Sequence, residues 1–380
     1  MPQFDALIMI PGPTHIPARI LLAMAKPMIG HRTNEYADIQ RECTEGLQKV
    51  FKTKSDVFIF TASGTGGMEA AVVNTLSPGD KALALDCGKF GERFGDIARV
   101  FGADVDAIVY ERGMPADPSD VEKKLTADPA IKAVLVTLNE TSTGVVNPLQ
   151  EIARIAKERG ALVLVDAISG MGAMPCDTDA WGLDVVVAGS QKAFMLPPGF
   201  AFVSISEAAW RAAKASKMPK YYWDFAEMRK AAEKLQTAYT PNVSMMFALH
   251  ESLRMILEEG VDEAVARHAR MADATRAAVE ALGLELLAKK GFRSNSVTAV
   301  RMGDFDPDAM RKIMQNKYGV LLSGGQEELK GKIFRIGHMG YVFPREILTT
   351  ISCLESALAE MGHAFEPGAG VKAAQATFAA

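Results

Sequence analysis

Three groups of polar residues each stand directly after an apolar, strand-like run. Ser63-Gly64-Thr65-Gly66-Gly67 follows DVFIF at 56–60, Asp166 closes LVLVD, and Ser190-Gln191-Lys192 follows VVVAG. If these runs are parallel strands, all three groups lie along one rim of a sheet, at the carboxyl ends where ligands bind in such folds. Lys192 sits within VVVAGSQKAFML, one of the most apolar settings of any lysine in the chain. Burying a lysine is costly and strips its proton unless a partner holds it. Two readings follow: the backbone surfaces there and Lys192 is solvated, or its neutral amine attacks a carbonyl to form a Schiff base. Asp166 is similarly double-faced, either a first turn residue or the carboxylate that keeps a pyridine-type ring nitrogen protonated. SGTGG reads as a tight strand-to-helix turn or as an anion seat built from glycines, hydroxyls and a helix N-terminus. Its spacing matches neither GxxxxGK nor GxGxxG. Arg335, in GKIFRIGHMG, either runs its stem out to solvent or grips a substrate carboxylate with its planar fork.

Other chemistries lack their residues. The six histidines form no HExxH or i, i+4 pair, there is no GxSxG, and Cys43, Cys87, Cys176 and Cys353 form no CxxC. The chain has 380 residues, 48% hydrophobic and 23% charged, with 42 Lys+Arg against 46 Asp+Glu, a net charge of −4. That balance gives no global attraction for nucleic acid or anionic lipid. Lys214, Lys217, Lys220, Tyr221, Tyr222 and Trp223 therefore read as a solvated helix face followed by an aromatic packing patch. No basic, apolar signal peptide opens the chain, and no apolar run approaches the roughly 18–20 residues that span a membrane. A reducing, cytoplasmic setting is expected.

The elements that must position these residues are legible as texture. Apolar runs at 56–60, 81–86, 106–110, 132–138, 161–167, 184–189 and 199–205 alternate with helix-like segments. Most lack polar alternation, as strands covered on both faces do. The clearest helix is NPLQEIARIAKERG, with Asn147 as N-cap, Pro148 at the first helical position, Gln150 as capping-box partner and Gly160 as the stop. This alternation predicts an α/β fold with a large, doubly wound, mostly parallel sheet. Beyond residue 244 come long helices, then a shorter α/β pattern ending in a helix near 345–361. The expected organisation is an N-terminal arm over 1–15, a large domain over 16–259 and a smaller C-terminal α/β domain over 260–380. The tail EPGAGVKAAQATFAA is expected to be loose.

Taken together, the motifs resemble the class V aminotransferases, pyridoxal phosphate enzymes of fold type I, and most closely their alanine–glyoxylate and serine–glyoxylate group. The resemblance runs nearly end to end through PGPTHIP, SGTGGMEAAVVNTLSPGD, NETSTGV, LVDAIS, GSQKAFMLPPG, YTPNVSMMFALHESL and GKIFRIGHMG, with Lys192 standing 26 positions after Asp166. It implies pyridoxal 5'-phosphate as cofactor, Lys192 as Schiff-base partner and proton shuttle, and Asp166 as partner of the pyridine nitrogen. Ser63, Gly64 and Thr65 would hold the phosphate with Gln191 beside it, and Thr141 would lie near the ring hydroxyl. Phe90 would stack on the ring where many relatives carry tryptophan, and Thr65 stands where some have histidine. Arg335 would clamp the substrate carboxylate. Thr240 of the YTP motif, with Tyr239 as neighbour, would reach the phosphate of another subunit, implying a homodimer with shared sites.

The implied reaction moves the amino group of L-serine or L-alanine to glyoxylate, or pyruvate, by a ping-pong route. Its partners would be small amino acids and 2-oxo acids, with neither nucleic acid nor membrane. No second cation for a dicarboxylate substrate is evident among the motifs. One alternative is a cysteine desulfurase, which typically places histidine before the lysine and uses a mobile cysteine; here Gln191 precedes Lys192, and Cys353 falls in a C-terminal helix. The other is a catalytically silent pyridoxal phosphate fold kept for binding.

Overall fold

The seven apolar runs pair into one sheet in a computed structural model that describes residues 6–379. Its strands are Asp56–Thr61, Lys81–Asp86, Asp104–Val109, Ile131–Thr137, Leu162–Asp166, Val185–Gly189 and Phe200–Ile205. Counted in that order, they lie across the sheet as first, seventh, sixth, fifth, fourth, second, third. Only Phe200–Ile205 runs antiparallel to its neighbours, Asp56–Thr61 and Val185–Gly189. The doubly wound, mostly parallel sheet expected from the sequence is present.

Alternate residues of each strand feed two separate cores. Val57, Ile59, Leu83, Leu85, Val134 and Val136 face one side, against helices Asn34–Phe51, Leu149–Glu158 and Val243–Glu259. Phe58, Phe60, Ala82, Ala84, Ala133 and Leu135 face the other, against Gly64–Thr75, Lys89–Val100 and Glu207–Ala215. With both faces apolar, the polar residues of the sheet collect at its ends.

The C-terminal residues build a second, four-stranded antiparallel sheet in the order Glu285–Leu286, Val297–Arg301, Ile333–Gly337, Ser323–Gly324. Its core of Phe334, Ile336, Ile351 and Leu354 also takes in Met9, and Leu7–Ile8 pairs parallel with Val320–Leu321. Leu7–Ile8 of the N-terminal arm is thus a strand of the C-terminal region; residues 1–5 lie outside the described residues. Among the described residues, no helix is long and apolar enough to cross a membrane, and the four cysteines are free.

Two local expectations are corrected. The helix expected to be capped by Asn147 begins at Leu149 with Pro148 as its N-cap, and neither Asn147 nor Gln150 caps it. Asn147 turns inward instead. Its amide donates to the Thr137 carbonyl at 2.8 Å, and its oxygen accepts from the Ala116 N–H at 2.8 Å. A buried amide with long-range partners has left the cap to backbone geometry. Gly160, at φ +74°, does follow the helix end.

The tail is not loose. Ala369–Ala379 is a helix with Gly370 and Ala374 buried. A Cβ at Gly370 would lie 3.0 Å from Leu282 and 3.1 Å from Ile351, so glycine permits the close approach. The segment's start is held by another helix: Glu355 accepts the N–H groups of Gly368 and Val371, both at 3.0 Å. Such a cap cannot be read from local sequence. Glu355→Ala should lower unfolding free energy by about 1–2 kcal/mol, the usual value of a cap. Urea unfolding measures it, and an unchanged midpoint would contradict this account of the tail.

Candidate active site

Asp166 and Lys192 face a common cleft at the carboxyl ends of Leu162–Asp166 and Val185–Gly189, neighbouring parallel strands. Burial pushes the Lys192 amine down to about 8, with Asp166 opposing and Arg335 assisting the shift. Burial pushes the Asp166 carboxyl up to about 7, against the pull of the Ile168 N–H at 2.9 Å and of Lys192 and Arg93. Each group thus titrates near neutrality, where proton exchange is easiest. Only Oδ1 of Asp166 has a partner among the described residues, leaving Oδ2 for the cleft.

The N-terminal segment forms a strap over Lys192. Nζ donates to the Pro11 carbonyl, the Thr14 N–H to the Gln191 carbonyl at 3.1 Å, and Thr14 Oγ1 to the Lys192 carbonyl at 3.0 Å. Gly12 has φ +115°, and a Cβ there would come within 2.6 Å of Nζ, so only glycine fits.

The third polar group completes the cleft. Helix Gly64–Thr75 starts at SGTGG, and Ser63 gives no side-chain cap. Among the described residues, the N–H groups of Gly64 and Thr65 have no backbone partner, while Gly66 bonds Ser63. An uncapped first turn with a positive dipole end is a seat for an anion. Gly64 is required there: a Cβ would lie 2.4 Å from Ile168. Gln191 Oε1 is buried without a partner among the described residues, an amide poised for something the protein does not supply. Ser63, Gly64, Thr65, Phe90, Thr141, Asp166, Gln191 and Lys192 all line this space of about 460 Å³.

Arg335 lies beside it rather than in solvent. It is 6% exposed, and burial lowers its guanidinium to about 10. Nε donates to the Gly324 carbonyl at 2.9 Å and Nη1 to the Thr141 carbonyl at 2.8 Å. The bond to Thr141 joins the small sheet to the large-sheet cleft. Thr240 and Tyr239 lie elsewhere, in a separate hollow with Ile59, Phe200 and Tyr222. Tyr222 stacks on Tyr239 at 4.9 Å between centroids, Tyr221 is 81% exposed, and Trp223 donates to Glu69 at 3.0 Å. The aromatic patch is therefore only half packed.

Sequence reasoning missed several cleft residues. Ser169 bonds Thr141 through their hydroxyls at 2.6 Å. Arg93 lines the cleft with its guanidinium over the Phe90 ring, 4.9 Å from the centroid. It stands three residues after Phe90 in a helix, and that spacing could have placed both on one face. Arg93 is the second cation that no motif announced.

Residues 11–337 match the Aminotransferase class-V family. The chain belongs to the class-V aminotransferases. It is a pyridoxal phosphate-dependent transaminase, and the cleft fits that cofactor: an uncapped helix start suits a phosphate, and an aromatic wall suits a ring. A free carboxylate oxygen stands ready for a protonated nitrogen, and an amine of lowered basicity for a carbonyl. This class-V aminotransferase is 47% identical to the soluble hydrogenase 42 kDa subunit of Anabaena cylindrica, over 98% of each chain. It is 39% identical to the L-aspartate–glyoxylate aminotransferase of Paracoccus denitrificans, over 97% of this chain and 95% of the relative. The crystal structure of ureidoglycine–glyoxylate aminotransferase from Bacillus subtilis is similar over the whole of both chains, with TM-score 0.95 and 28% identity. Among the described residues, no group of three or more His, Cys, Asp or Glu is placed to hold a metal ion.

The raised Asp166 carboxyl makes the cofactor-free aminotransferase pH-sensitive. Folded, it keeps its proton to about pH 7; unfolded, an aspartic acid releases it near 3.8. The stability this contributes is full below the lower value and lost as pH rises through the upper one. The melting temperature of Asp166→Asn should therefore exceed wild type by a margin that grows from about pH 4 to about pH 7 and then levels. A margin independent of pH would contradict burial as the cause.

Proposed function

We propose that this transaminase moves the amino group of L-serine or L-alanine to glyoxylate, or pyruvate, in two half-reactions centred on Lys192. The observation that carries the reading is the pairing of Lys192 and Asp166 across one cleft, each shifted toward neutrality, beside an uncapped helix start. Pyridoxal phosphate supplies the electron sink that makes the Cα–H of an amino acid acidic. The rest falls to the chain. Lys192 is the attachment residue, and its amine, once free, carries a proton to and from the substrate as base and acid. The Pro11 carbonyl gives that amine a resting partner. Asp166 holds positive charge at the ring nitrogen, and Ser63, Gly64, Thr65 and Gln191 hold the phosphate. Phe90 covers the ring, and Thr141 with Ser169 meets the ring hydroxyl.

Arg335 binds the carboxylate that donor and acceptor share, using N–H groups left over from its two backbone bonds. Glyoxylate as acceptor draws support from the two glyoxylate aminotransferases similar to this chain. We place the active unit in a homodimer, with Thr240 reaching the partner's phosphate; its position outside its own chain's cleft supports that exchange. The division at residues 16–259 and 260–380 is our reading of the two sheets, with Gly260 between two long helices as the joint. A dicarboxylate donor, L-aspartate, is the second reading, and Arg93 in the cleft is the observation for it.

The test is a half-reaction with the yellow, cofactor-loaded protein. L-serine or L-alanine should bleach it and glyoxylate restore it; bleaching by L-aspartate alone favours the second reading, and no bleaching by any donor contradicts transamination. Lys192→Ala should abolish turnover. Arg335→Ala should raise KM for donor and acceptor alike by about 10–100-fold, the worth of a charge-assisted hydrogen bond. An unchanged KM removes the clamp from Arg335.

A further inference from the structure

Glu140 is a fully buried carboxylate, 0% exposed, one residue before Thr141. Its Oε2 accepts the N–H groups of Phe90 at 3.1 Å and Gly91 at 3.0 Å. Its Oε1 accepts the N–H of Ser142 at 3.1 Å and the Ser142 hydroxyl at 2.5 Å. Three N–H groups and one O–H converge on its two oxygens, and all four favour the ionised form. Burial, the largest influence, raises the carboxyl above its ordinary range, and those four donors oppose the shift. Arg335 feels the charge without touching it. A buried carboxylate with no contacting counter-ion among the described residues is an expensive choice where an apolar residue could pack.

Its partners show what the charge does. Phe90 and Gly91 lie in the first turn of helix Lys89–Val100, whose N-cap is Gly88 and has no side-chain cap of its own. A Cβ on Gly88 would lie 2.3 Å from Ser142 Oγ and 2.6 Å from Glu140, so the glycine makes way for the carboxylate. Glu140 caps the helix from outside, where its charge meets the positive dipole end. On the far side it closes its own turn, placing Thr141, whose side chain lines the cleft and whose carbonyl receives Arg335. One carboxylate therefore touches both the wall that carries Phe90 and the turn that anchors the guanidinium.

We propose that Glu140 is a positioning residue for transamination, fixing the Phe90 ring and the Thr141–Arg335 pair relative to each other across the cleft. This rests on the reading of the cleft as the pyridoxal phosphate site. The test is a double-mutant cycle on cofactor-free protein, comparing wild type, Glu140→Gln, Phe90→Ala and the double variant by pyridoxal phosphate affinity and visible circular dichroism. Gln offers one acceptor oxygen and cannot serve both sides. Glu140→Gln should weaken pyridoxal phosphate binding about tenfold and alter the dichroism of the bound cofactor. In the Phe90→Ala background the same change should cost less than about threefold, because the wall it positions is gone. Wild-type affinity and dichroism in Glu140→Gln overturns the proposal, as does a loss that adds in full to that of Phe90→Ala. If Glu140→Gln does not fold, Ser142→Ala removes one donor and keeps the carboxylate. It should show the same change in dichroism, and an unaltered spectrum overturns the proposal. Wild type that takes up no pyridoxal phosphate overturns the reading of the cleft itself, and the proposal with it.

Discussion

An amine and a carboxylate of opposite natural charge share one cleft at the edge of the sheet, and much of the molecule is arranged around that constraint. Each group alone would be costly to bury, and each moves toward neutrality because of it. Parallel strands solve the placement. Their carboxyl ends all open on one rim, so Asp166 ends one strand and Lys192 follows the next. The two apolar faces of the sheet leave no other place for such groups. Chemistry at the rim is a consequence of the fold's own economy of polar positions.

Bringing Arg335 to these two groups requires that the second, smaller sheet be held against the first. The turn at 139–144 does much of this. Asn139 donates to Ser169 and to Ser296, both at 2.8 Å, the Gly144 carbonyl takes the Ser294 N–H at 2.9 Å, and Thr141 receives Arg335. The N-terminal strap adds a second tie: the Gly337 N–H bonds the Met9 carbonyl at 2.7 Å, two residues from Arg335, and the same strap then passes over Lys192. The guanidinium and the lysine are therefore linked through both backbone routes. Movement of one sheet against the other would change their separation directly.

Much of this was legible before the structure. Strands covered on both faces advertise themselves as unbroken apolar runs, and polar residues that end them stand out; Lys192, Asp166 and SGTGG were found that way. Arg335 was visible only as an alternative, and burial decided against solvent. What stayed hidden depends on partners far along the chain. Asn147 looked like a cap because a cap is local, but its amide serves Thr137 and Ala116. The tail looked loose because its cap, Glu355, belongs to another helix. Gly12 has no chemistry to announce, and its role appears only when Lys192 is seen beneath it. Glu140 carries no signal of its own in the sequence, since nothing nearby predicts four donors closing on it.

The central claim is that Lys192 is the attachment residue for the cofactor. Borohydride reduction of the pyridoxal phosphate-loaded protein, followed by peptide mass mapping, tests it most directly. The account predicts one reduced adduct, on the peptide carrying Lys192, and none in Lys192→Ala. An adduct on another lysine, or none on a protein that is visibly yellow, would contradict it.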